Sequence, residues 1–207
     1  MMQRATRRSQ GGALMMEVLI TIAVVSIGTL GLIDMQARLQ KSEMESYQRT
    51  QAVMLLNDMT SRISANRGNA LSYVTADAGL PTPYLGGTPD ELDCASDIDT
   101  STLQGSDFAQ WCEALQGAAE LQATSRVGAM LGGRGCVEAL NPNTFMVTVV
   151  WQGLTPISAP PTTGPGGGVT CGAGADLYAM AGMDCGVDGA LCRRYVTSLV
   201  SLARLDL

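Results

Sequence analysis

ALMMEVLITIAVVSIGTLGLI, residues 13–33, decides the architecture. These residues carry a single charge, Glu17, and as a helix they reach about 31 Å at about 1.5 Å per residue, enough to cross a bilayer core. Three arginines, Arg4, Arg7 and Arg8, precede the run, and no acid does. A cleavable secretory signal has a shorter apolar core, about 7–15 residues, followed by small residues at the cut. Here IDMQARLQ follows the apolar run instead, so the segment is expected to remain as an anchor. The basic flank places the N-terminus in the cytoplasm and everything beyond Asp34 on the exported side.

Outside this run the chain reads as an exported body. Of 207 residues, 46% are hydrophobic but only 4% aromatic and 15% charged, and the net charge is −6. An acidic balance argues against nucleic-acid binding, which needs a basic surface. Histidine is absent. That excludes Ser-His-Asp and Cys-His catalysis and histidine-bearing zinc sites. No enzyme activity and no cofactor are expected.

Glu17 requires explanation, because a carboxylate in a spanning helix costs about 2.5–3.5 kcal/mol at its centre and less near an end, where it snorkels. An interfacial acid at a helix N-terminus is the plain reading. The flanking residues favour another. A short basic leader, Gly12, four apolar residues, Glu17 and then VLITIAVVSIGTLGL resemble the leader and helix of type IV pilins and pseudopilins, most closely minor pilins of the PilV type. The resemblance covers about 25 residues.

It implies a leader over residues 1–12, cut by prepilin peptidase between Gly12 and Ala13, with N-methylation of Ala13. Cutting after Gly11 fits less well. Ala13 stands where the family commonly has Phe, and Met15-Met16 replaces its usual Thr-Leu or Ser-Leu pair. Residues 13–34 become the transmembrane and filament helix, and 35–207 the periplasmic head. Glu17 then sets subunit register by pairing with a neighbour's terminal amine. An unpaired charge in an apolar medium is heavily penalised, which gives such a pair its selectivity. The implied role is a minor pilin that helps prime pilus assembly and sits in the tip complex. Implied partners are other minor pilins, the major pilin, the prepilin peptidase, the inner-membrane assembly platform and a tip adhesin. The implied route runs from the inner membrane to the pilus on the cell surface. A minor pseudopilin of type II secretion is the alternative, and a single-pass membrane enzyme or binding protein with an exported domain a more distant one.

The helix is expected to continue to about residue 66, since 35–66 contain neither Pro nor Gly. Ala52, Leu55, Leu56, Met59 and Ile63, with Met44 and Tyr47 before them, recur at helical spacing, and Asn66-Arg67-Gly68 reads as a stop. A long loop with short elements follows over 68–110, and then a helix over 107–123 with Phe108, Trp111, Leu115 and Ala118 inward. Strands are expected at 135–140, 144–152 and 194–202, with Asn141-Pro142-Asn143 as a turn. The fold class is therefore α+β: a long N-terminal helix packed on a small antiparallel sheet, with long disulfide-stapled loops. The Pro/Gly-rich stretch 153–175 is expected to lack regular structure.

Six cysteines, Cys94, Cys112, Cys136, Cys171, Cys185 and Cys192, all lie beyond the helix. In an oxidising compartment they read as up to three disulfides, with fifteen pairings open. Cys94–Cys112 is favoured, with Cys171–Cys185 and Cys136–Cys192 as further guesses. A four-cysteine zinc site is disfavoured because no C-x-x-C occurs. Asp90, Glu91, Asp93, Asp97 and Asp99 form an acidic cluster without EF-hand spacing, read as a solvated loop. GPGGG at 164–168 lacks the Lys-Ser/Thr of a phosphate loop. No metal site is expected.

Overall fold

The computed structural model describes residues 11–118, 121–122, 125–126, 130–174 and 177–203, with side chains from Met15 onward and outside 121–126. Helix α1 runs unbroken over Gly11–Ala65. The chain forms two compact units, Met1–Met44 and Glu45–Leu207.

Within the second unit, α1 buries Gln48, Ala52, Leu56, Met59 and Ile63. The expected stripe holds from Ala52 onward, but Leu55 is only partly buried, and Met44 and Tyr47 are 49% and 42% exposed. Helical phase explains the difference. At about 100° per residue, Tyr47 lies about 160° around the helix from Ile63 and Gln48 only about 60°. A polar residue thus continues the buried row. The helix ends at Ala65 without a left-handed glycine. The Asn66 N–H still reaches the Arg62 carbonyl at 3.0 Å, and the chain then tightens into 3-10 turns at Arg67–Tyr73 and Thr75–Asp77.

Helix α2 spans Leu103–Leu115, earlier and shorter than the expected 107–123. Thr102 caps it: its Oγ1 accepts from the Gly105 N–H at 3.0 Å, satisfying one orphan donor of the first turn. Gly105 in the first turn has a packing reason: a Cβ there would collide with the Asp99 carbonyl oxygen. Gly117, at φ +85°, turns the chain away beyond the C-terminus. Phe108, Trp111 and Leu115 are buried as expected, whereas Ala118 lies past the helix and is half-buried.

Strands β1 (Leu85–Gly86), β4 (Arg134–Asn141), β5 (Thr144–Gln152) and β6 (Arg193–Ser201) form one antiparallel sheet in the order β1-β4-β5-β6. Between them in sequence, β2 (Leu121–Gln122) and β3 (Ser125–Arg126) pair separately. The three longer strands match the expected segments to within a residue at each end. At the β4–β5 turn the Asn143 N–H donates to Asn141 Oδ1 at 3.0 Å, closing it with the asparagine side chain.

One sheet face carries Val137, Phe145, Val147, Val149, Trp151 and Val200 into a core with Ala52, Leu56, Met59 and Ile63 of α1 and Phe108 and Trp111 of α2. The opposite face is not left to solvent. Cys136 and Val150 are covered there by Val169, Cys171 and Tyr178, so β5 is buried on both sides from Phe145 to Trp151. The covering chain is the Pro/Gly-rich connection with the residues that follow it, and among its described residues are 3-10 turns at Pro165–Gly167 and, further on, at Val187–Cys192.

The disulfides are Cys94–Cys112, Cys136–Cys171 and Cys185–Cys192. The first ties the long loop to α2. The guessed Cys171–Cys185 and Cys136–Cys192 are not formed. Cys136 lies on β4 and Cys192 ends the 3-10 turn that leads into β6, with β5 between the two strands. Two strand spacings amount to about 10 Å, beyond the about 4.4–6.8 Å between Cα atoms that a disulfide tolerates. Cys171, on the loop crossing the outer face, lies over β4 with its Cα 5.8 Å from that of Cys136.

Candidate functional site: the apolar helix and its carboxylate

From Met15 to Ile33 every side chain of α1 is exposed, and the helix is long and apolar enough to cross a membrane. Its polar side chains divide into two kinds. Thr21 donates to the Val18 carbonyl at 2.9 Å, Ser26 to Ile22 at 2.7 Å and Thr29 to Ser26 at 2.9 Å. These hydroxyls are satisfied by their own helix, as an apolar medium requires. Glu17 is the other kind, making no hydrogen bond or ion pair among the described residues. Just past the apolar run, Asp34 and Arg38 pair at 3.0 Å, both well exposed.

Gly12 and Ala13 lie in the first turn of α1. Residues 1–10 of the leader lie outside the described residues. Among the described residues, Gly28 and Gly31 meet nothing within 4 Å of where a Cβ would stand. No family model, curated protein or solved structure matches the chain.

In the body, the acidic stretch is exposed at Asp90, Asp93, Asp97 and Asp99, as expected of a solvated loop, and Glu91 is half-buried. Glu91 binds Arg134, Asp97 accepts from the Asp93 N–H at 2.8 Å, and Asp99 accepts from both the N–H and hydroxyl of Ser101. The Ser101 backbone bond, then its hydroxyl, hold the Asp99 carboxyl below its ordinary range. Among the described residues no three His, Cys, Asp or Glu side chains gather as a metal site, and all six cysteines are in disulfides. GPGGG forms a 3-10 turn, and Gly166 within it lies against Leu140 and Met146 of the sheet. A cavity of about 260 Å³ beside Cys136–Cys171 is lined by Thr75, Tyr84, Glu138 and Thr170 among others. Glu138 accepts there from the Thr170 hydroxyl at 2.6 Å.

Three polar clusters were not legible from spacing. Arg62 binds Asp58 at 2.9 Å and Asp107 at 2.8 Å, and Tyr73 donates to Asp107. Burial, and then that hydrogen bond, push the Tyr73 phenol up to about 12. Arg134 stacks between Tyr84 and Tyr178, 5.2 Å from each ring centre. Glu45 accepts from the Leu154 N–H at 3.1 Å and from Arg194 at 3.3 Å, tying α1 to the first residues of the covering connection and to β6. Each cluster joins residues far apart in sequence, and no local pattern announces them.

Proposed function

We propose that the chain is a minor pilin of a type IV pilus, PilV-like, acting in filament assembly rather than catalysis. The observation that carries this reading is the exposed apolar segment of α1 with one carboxylate, Glu17, that has no partner among the described residues and stands five positions after Gly12. In an apolar surrounding a lone carboxylate needs a counter-charge, and an amine released at Ala13 supplies one. That amine lies about 6 Å along the axis from Glu17, four residues on. Prepilin peptidase cuts after Gly12 and methylates Ala13. The helix anchors the chain in the inner membrane with residues 1–12 cytoplasmic and the body periplasmic, and it then packs among other minor pilins and the major pilin at the pilus tip, where an adhesin docks. The three disulfides suit an oxidising compartment.

Mass spectrometry of the protein from cells with the peptidase should find N-methylated Ala13 as the first residue, and peptidase deletion should restore residues 1–12. An intact terminus in peptidase-positive cells rules the reading out. Glu17→Ala should insert in the membrane normally but be lost from sheared filaments, and unchanged incorporation would refute the register role.

A further inference from the structure

Where the connection crosses β4 it leaves the cavity of about 260 Å³ beside Cys136–Cys171, bounded also by the 3-10 turn at Thr75–Asp77 and the chain entering β1. Ala76, Pro83 and Ala173 on its walls are exposed, so a solute can enter from solvent. Those three, with Tyr84 and the disulfide, make most of the lining uncharged. Among the described residues that line the cavity, only Glu138 carries a charge. Glu138 is half-buried. Its Oε1 accepts from the Thr170 hydroxyl at 2.6 Å. Its Oε2 is fully buried, accepts no hydrogen bond, and lies beside Gly166, where Leu140 and Met146 also crowd. Among the described residues no arginine or lysine forms an ion pair with it. Arg134, stacked on Tyr84, is already matched by both oxygens of Glu91. A carboxylate half removed from water, with one hydroxyl as its support, is under-stabilised as an anion.

We propose that this cavity binds a primary alkylammonium, a free amine or the end of a lysine side chain, with Glu138 as its counter-charge. Charge, donor chemistry, size and surface select that guest. A lining whose one charge is a carboxylate takes a cation. A divalent metal is a poor match, since it draws on six or more oxygens, several of them carboxylate, and among the described residues no three His, Cys, Asp or Glu side chains gather. An ammonium has three donors and needs only a few acceptors. Glu138 Oε1 is one, and the Thr170 hydroxyl, which spends its proton on that oxygen, keeps its lone pairs as another. The volume falls just below the about 300–1,000 Å³ of sites for drug-sized ligands, so the guest is a fragment of several heavy atoms. The uncharged walls then cover its alkyl stem, a gain that an inorganic cation cannot draw on. The compact body Glu45–Leu207 contains no lysine, so the guest comes from outside it. The site makes no use of the apolar run of α1 and stands independently of the pilin reading.

The test is methyl NMR of the full chain in detergent, with alanine methyls labelled and ionic strength held constant. Added n-butylammonium chloride should shift the Ala76 and Ala173 resonances saturably, with a Kd on the order of millimolar for so small a ligand. Glu138→Gln can still accept from Thr170 and should weaken binding by about tenfold or more, the loss of one charge-assisted contact. Ala173→Leu fills the cavity with the carboxylate in place and should abolish the Ala76 shift. This second variant keeps the proposal testable if Glu138→Gln disturbs the fold. Butanol, equal in length but uncharged, should give no saturable shift at the same concentrations. Nα-acetyl-lysine N-methylamide distinguishes the sources: binding at least as tight as butylammonium assigns a lysine side chain, and weaker binding assigns a free amine. Shifts that do not saturate, that sodium chloride or butanol reproduces, or that persist unchanged in both variants overturn the proposal.

Discussion

Both carboxylate oxygens of Glu91 meet one nitrogen of Arg134, Nη2, at 2.8 Å, and Arg134 is only 3% exposed. The guanidinium also donates from Nη1 to the Gly132 carbonyl at 3.1 Å and lies between two tyrosine faces. Removing the acid leaves a buried cation without its counter-charge. Glu91→Gln should destabilise the body toward the lower end of about 3–5 kcal/mol, because the Glu91 side chain is 27% exposed. Urea unfolding of the full chain in detergent measures this. The paired change Arg134→Met with Glu91→Leu should recover most of the loss.

Tyr73 is fully buried, donates to Asp107 and accepts from Asn66 at 3.2 Å. Its folded pKa, pushed up to about 12, exceeds the unfolded value of about 10. The fold therefore favours the protonated phenol. That stabilisation is complete below about pH 10 and is lost as pH rises through about 12. Alkaline absorbance titration should show a phenol ionising late, and Tyr73→Phe should remove it. The same variant should flatten the fall in stability between about pH 10 and 12; an unchanged slope counts against the assignment.

Gly135 on β4 lies directly against Trp111 of α2. A Cβ there would run into the six-membered ring of Trp111, whose Nε1–H is fixed by the Leu55 carbonyl at 2.9 Å. Gly135→Ala should cost about 1–3 kcal/mol, the range for overpacking a tight core. In a Trp111→Phe background the smaller ring leaves room, so the same substitution should cost less. Strict additivity of the two changes would exclude a steric cause.

The Cys136–Cys171 disulfide pins the covering connection over the outer face of β4 and β5. Replacing both residues with alanine should lower stability by about 2–4 kcal/mol and open Val150 and Tyr178 to solvent. Hydrogen exchange at β5 amides should rise in that variant and stay unchanged along α1. Non-reducing peptide mapping of the wild type should return Cys94–Cys112, Cys136–Cys171 and Cys185–Cys192.

The helix, the three long strands and the inward face of α2 were legible because each rests on local periodicity. Ile63, Met59 and Leu56 repeat at helical spacing, and the hydrophobic run of β5 is hard to read as anything but a strand. Three features were not legible, each for its own reason. Gln48 takes a core position by helical phase although its chemistry says surface. The early start of α2 depends on Thr102, disguised by a glycine in the first turn whose reason is the Asp99 carbonyl. Cys171 reaches Cys136 only because the connection crosses the sheet, which no composition reveals. At the candidate site, Gly12, Ala13 and Glu17 were singled out by the resemblance of the leader and helix to type IV pilins, and all three lie on α1.

The inward-bonded hydroxyls of Thr21, Ser26 and Thr29 have a consequence for how α1 can be read by its surroundings. With those groups silent, the flank from Met15 to Ile33 is hydrocarbon on all sides and has almost no preferred rotational phase about its own axis. Glu17 is then the one mark that breaks the degeneracy. A neighbour that recognises it fixes the azimuth of the whole helix with a single contact, and Glu17→Ala should leave a segment equally content at every rotation.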